Sequence, residues 1–74
     1  MPIRKFVETL AYGRVTNRVC YSEDPAALPE PANHAEWRQD NSFHEQDAVA
    51  GDSKLTSVIE HARKHGFAMV TRKP

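Results

Sequence analysis

His61 and His65 stand four residues apart, the spacing that lets two imidazoles meet on one face of a helix. Two such ligands are half of a zinc site. Cys20, His34, His44 or Glu45 would have to complete it. No metal is expected: the H-E-x-x-H pattern is absent, and Arg63 and Lys64 beside the pair repel a cation. Cys20 could serve as a nucleophile beside a histidine, but that chemistry also needs an orienting group and an oxyanion hole. A chain this short rarely encloses a cleft deep enough to exclude water, so the expectation is a protein without enzymatic activity or cofactor. Gly13, Gly51 and Gly66 are isolated, which excludes a P-loop or dinucleotide cradle. No G-x-S-x-G nucleophile elbow is present.

Charge is the remaining clue. Ten basic residues cancel ten acidic ones, but the zero is a sum of unlike parts. Over 1–21, Arg4, Lys5, Arg14 and Arg18 oppose Glu8, a balance of +3. Over 22–52, Glu23, Asp24, Glu30, Glu36, Asp40, Glu45, Asp47 and Asp52 oppose Arg38, a balance of −7. Over 53–74, Lys54, Arg63, Lys64, Arg72 and Lys73 oppose Glu60, a balance of +4. The chain is basic, acidic, basic. The open question is whether the acidic middle folds back over the basic ends or stands clear of them.

Length and composition bound the rest. At 74 residues the chain is one domain. One cysteine cannot staple a disulfide scaffold. A membrane span needs about 20 apolar residues in a row, and the longest run is Phe67-Ala68-Met69-Val70. Arg4, Lys5 and Glu8 break the stretch Ile3 to Leu10 that a secretory signal would need apolar. Taken as a unit beginning at Met1, the protein is expected in the cytoplasm.

The elements follow from spacing. Ile3, Phe6, Val7 and Leu10 have helical period and polar residues between them, which predicts a helix over 2–12. A strand competes, because Val7, Thr9 and Tyr12 favour one. Counting against the strand, Glu8 would share a face with Phe6 and Leu10. Residues 14–21 alternate as a strand, with Val15, Val19 and Tyr21 on one face and Arg14, Thr16, Arg18 and Cys20 on the other. Asn17 is a flaw on the first face. Pro25, Pro29 and Pro31 make 22–33 an acidic surface loop, extended and partly mobile. Asn33 with Glu36, and Ser42 with Glu45, have the spacing of helix-capping pairs. They predict a short turn carrying Trp37 and a helix over 43–50. Leu55, Val58, Ile59 and Ala62 define a helix over 53–65, capped by Asp52 or Ser53 and stopped by Gly66. Residues 67–72 read as a strand. The fold class is a small α+β domain with a small antiparallel sheet.

Two functions fit. The first is a non-catalytic interaction protein: a regulator, inhibitor or adaptor that binds a larger host protein. Accessory proteins of phages and mobile elements have this character. Glu36, Asp40, Glu45 and Asp47 would engage a basic groove on the partner, steered by charge. The second is nucleic-acid binding through Lys54, Arg63, Lys64, Arg72 and Lys73. For that role the element order resembles an incomplete winged helix, with 53–65 as recognition helix and 67–72 opening the wing. Against it, no strand after 72 completes the wing, and Asp52, Ser57 and Glu60 fall where a helix-turn-helix packs apolar residues. A homodimer, pairing through 15–21 or 67–72, would cover strand edges that a small sheet leaves open.

Overall fold

The computed structural model describes residues 1–72. Four strands form one antiparallel sheet: β1 (Arg4–Leu10), β2 (Val15–Ser22), β3 (Ala35–Gln39) and β4 (Ala68–Thr71). Helices α1 (Glu45–Gly51) and α2 (Lys54–His65) lie between β3 and β4 in the chain. The strand order is β3-β1-β2-β4. The protein is therefore the small α+β domain with an antiparallel sheet that the sequence implies.

Residues 2–12 are not a helix; the competing strand reading holds. β1 is central, paired to β2 on one side and β3 on the other. Side chains alternate across a strand. Phe6 and Glu8 therefore point to one face of the sheet, and Ile3 and Thr9 to the other. All four are buried, at 3%, 1%, 2% and 5% exposure. A strand buried on both faces loses the clean alternation that marks a half-exposed one, and the residual pattern matches a helical period.

The two faces are covered by different things. On one, α2 packs Ile59 and Ala62 against Ile3, Val19, Tyr21 and Ala68. Phe43 joins this core, its ring centroid 5.4 Å from that of Tyr21. The helices cover only part of the sheet. Beyond them Val15 is 60% exposed, which removes the objection raised by Asn17 on the same face. On the other face lies the connection from β2 to β3. β2 ends beside Arg4 and β3 begins beside Leu10, so residues 23–34 must travel back along the whole sheet. The proline-rich segment is thus a surface connection, mostly exposed, that runs across this face with Leu28, Pro29 and Pro31 half-buried. It includes a 3-10 turn, Pro25–Ala27, capped by the Asp24 carboxylate.

The two capping pairs do not form. Residues 33–34 turn directly into β3, with Ala35 N donating to Ala32 O at 2.9 Å and His34 at φ 64. Trp37 sits on a strand, not a helical turn. Ser42 is held by Asp40, which accepts from both its N (3.0 Å) and its Oγ (2.6 Å). α1 begins later, at Glu45, without a side-chain cap. Asp52, rather than Ser53, caps α2 by accepting from Lys54 N at 3.0 Å. Gly66 ends α2 at φ 97, a left-handed conformation that suits glycine. The first element is a strand and the sheet has four, so the winged-helix order is not the observed one. No helix among the described residues is long and apolar enough to cross a membrane.

Candidate functional site

The acidic middle does fold back over the basic ends. Glu45 accepts from Arg63 Nη2 at 2.8 Å and Nη1 at 3.1 Å, and from Ile3 N at 2.8 Å. Arg63 also reaches Met1 O at 3.1 Å. The Arg63 guanidinium, with the Ile3 amide, holds the Glu45 carboxyl below its ordinary range. Asp40 lies 3.7 Å from Lys5 Nζ, and its pKa is lowered chiefly by the Ser42 hydroxyl. Glu36 accepts from Arg38 Nε at 2.7 Å. Of the four carboxylates read as a protein-binding set, only Asp47 is exposed with no ion pair among the described residues. Glu45 and Asp47 border an open cleft of about 770 Å³ that also involves Arg4, Gln39, His44 and Arg63.

The basic set also divides. Arg63 is committed to Glu45 and Met1, on the flank of α2 away from Lys54. Lys54, Lys64 and Arg72 are exposed and form no ion pair among the described residues. Lys73 lies outside the described residues.

The strongest polar cluster is one that the sequence did not flag. Glu8, 1% exposed, accepts from Arg18 through both of its oxygens, with Nε to Oε1 at 3.0 Å. It also accepts from Thr16 Oγ1 at 2.6 Å and from Ala32 N at 2.8 Å. These donors, Arg18 foremost, pull its pKa from an ordinary 4.5 to about 2. The Arg18 guanidinium carbon stands 5.9 Å from the Trp37 ring centroid, and Trp37 Nε1 donates to Pro29 O at 2.7 Å. Strands β1, β2 and β3 and the crossover are thereby tied at one point. An acid placed between Phe6 and Leu10 on a strand face was the available signal. The cluster is fully satisfied and reads as a structural lock.

Cys20 shares that face and is 0% exposed. Burial pushes its thiol up to about 11, so at neutral pH almost none is thiolate, the reactive form. The native protein should resist labelling by a thiol-directed disulfide reagent at pH 7.5 and react with one equivalent once unfolded in urea. Rapid native labelling would place Cys20 among accessible groups. His61 and His65 have ring centroids 4.4 Å apart and are exposed. Among the described residues, no group of three or more His, Cys, Asp or Glu is placed to hold a metal ion.

The other feature is a groove of about 310 Å³ between α2 and the outer edge of β4, lined by Ser57, Val58, His61, Ala68, Met69 and Val70. Among the described residues β4 pairs only with β2. Arg72 N donates to Asn17 O at 2.6 Å, continuing the register that sets Thr71 against Arg18. Alternation then turns the amides of Ala68 and Val70 inward and those of Met69 and Thr71 outward. Met69 is 44% exposed. Comparison with protein-family models, with curated proteins and with solved structures finds no match to the chain.

Proposed function

We propose that this protein is a non-catalytic interaction protein, a regulator, inhibitor or adaptor that acts in the cytoplasm by binding a larger protein. The observation that carries the reading is the unpaired outer edge of β4 beneath α2. An exposed strand edge offers main-chain donors and acceptors to an incoming chain, and the adjoining groove offers side-chain contacts. The acidic version of the reading narrows, because Glu36, Asp40 and Glu45 already have partners within the fold. Nucleic-acid binding is the second reading, favoured by Lys54, Lys64 and Arg72, which form no ion pair among the described residues.

Purification of the tagged chain from its native cells, with nuclease treatment, separates the two. The expected result is a larger protein recovered in stoichiometric amount. Recovery of nucleic acid alone without nuclease, or of nothing, overturns the proposal.

A further inference from the structure

We infer that the partner delivers an extended acidic segment, which adds to the outer edge of β4 as a fifth strand. This rests on the interaction reading above and states what the partner must look like.

The backbone supplies the first argument. Only Met69 and Thr71 turn their N–H and C=O groups outward from β4, so an added strand could form up to four main-chain hydrogen bonds there. β4 has four residues, which sets the length of the contact. Side chains supply the second argument. The turn at Gly66 and Phe67 sends β4 back along α2. The first turn of the helix and the end of the strand therefore lie at the same end of the groove. Lys54, Val58, His61 and His65 recur at three- and four-residue spacing, so they share one flank of α2. Val58 and His61 line the groove. Lys54 begins this stripe and Lys64 follows it on the exposed side, while Arg72 continues β4. The nearby carboxylates are Asp52, whose Oδ1 accepts from Lys54 N, and Glu60, one turn before Lys64 on the same exposed side. Lys54, Lys64 and Arg72 against Asp52 and Glu60 leave the rim with a net positive charge around a floor of Val58, Ala68 and Val70. The fitting occupant turns an apolar residue to this floor and, two residues to either side on the same face of the strand, acidic residues to the rim.

Charge also argues against a second copy of this chain in the same place. An antiparallel β4–β4 pairing across a two-fold axis would bring two cationic rims side by side. Pairing through 15–21 is closed for a simpler reason: β2 is already flanked by β1 and β4.

The test uses the whole chain, labelled with nitrogen-15, titrated with two heptapeptides in which threonine occupies every other position, the positions between being glutamate, valine, glutamate in one and lysine, valine, lysine in the other. Binding of the glutamate peptide is expected to slow amide exchange at Met69 and Thr71 and to shift the signals of Ser57, Val58 and His61. The lysine peptide is expected to bind at least tenfold more weakly. Thr71→Pro removes one outward N–H and keeps the bonds to β2, and should raise the Kd about fivefold, the weight of one hydrogen bond. Lys54→Glu with Arg72→Glu, which leaves the edge intact, should raise it about tenfold or more at low salt.

Equal binding of the two peptides, no binding of either, or shifts confined to other surfaces would overturn the inference. So would a dimer by light scattering with Met69 and Thr71 already protected in the free protein, or a DNA duplex occupying the rim. A protein partner captured equally by wild type and by Thr71→Pro would leave the interaction role standing while removing this edge from it.

Discussion

Glu8→Ala is expected to lower the stability of the fold by about 3 kcal/mol, the lower end of what breaking a buried ion pair costs. The lower end applies because the Arg18 side chain keeps 33% of its exposure while that of Glu8 keeps 1%. The substitution strands three kinds of donor at once: the guanidinium, the Thr16 hydroxyl and the Ala32 amide. A chain of 74 residues has a total stability of roughly 4–11 kcal/mol, so the loss is a large fraction of the whole. Urea unfolding followed by Trp37 fluorescence measures it directly, because the indole is tied to the crossover through Pro29. A midpoint within error of wild type would show that the cluster is peripheral. Removing the charge on both sides, with Glu8→Leu and Arg18→Leu together, should recover part of the loss, since the apolar pair leaves no ion unpaired. The same carboxyl sets the acid limit of the fold. Its folded value is depressed to about 2 from 4.5. Its contribution is complete above the unfolded value and is lost as the pH falls through the folded one. Wild-type stability should therefore decline between about pH 4.5 and pH 2, and the Glu8→Ala variant should show a shallower decline there.

Phe6→Ala should cost about 3 kcal/mol, in the range found for emptying a buried aromatic site. Phe6 is 3% exposed and lies on the face away from the helices, so this variant asks whether the crossover covers a true core. Tyr12→Ala is the control. That ring is 99% exposed at the tip of the β1–β2 hairpin, and its loss should change stability by no more than about 0.5 kcal/mol. Calorimetry of the three proteins should show the melting temperature falling by about 12–24 °C for Phe6→Ala and barely moving for Tyr12→Ala. Equal shifts would mean that the second face is not packed.

The contrast between these residues explains what the sequence revealed. α2 was legible because one side of it is wet: Leu55, Val58, Ile59 and Ala62 stand out against charged neighbours. β1 was not, because neither of its faces is wet. The very residue that argued against a strand, Glu8 on the side of Phe6 and Leu10, does occupy that face, and the fold satisfies it with an arginine from the next strand. Reading it as a strand required a pairing partner ten residues on in the chain, which local spacing does not contain. β3 was hidden by the Asn33 and Glu36 spacing, a local preference overridden by pairing with β1. Of the candidate site, the basic residues stand out in the sequence by type alone, but which of them are free depends on Glu45 reaching Arg63 across the fold. The groove beneath α2 was invisible, since it exists only once β4 becomes an edge.

The strand order has a kinetic meaning. Only β1 and β2 are neighbours in sequence, joined by a short turn. β1 meets β3 across a span that contains the entire proline-rich crossover, and Arg18 of β2 meets Thr71 of β4 across most of the chain. Closing long loops costs entropy before any contact rewards it, and pairings this far apart in the chain slow folding. The hairpin is the natural nucleus, and the β4 edge is among the last surfaces to exist. During biosynthesis the protein cannot present that edge until translation has passed Thr71.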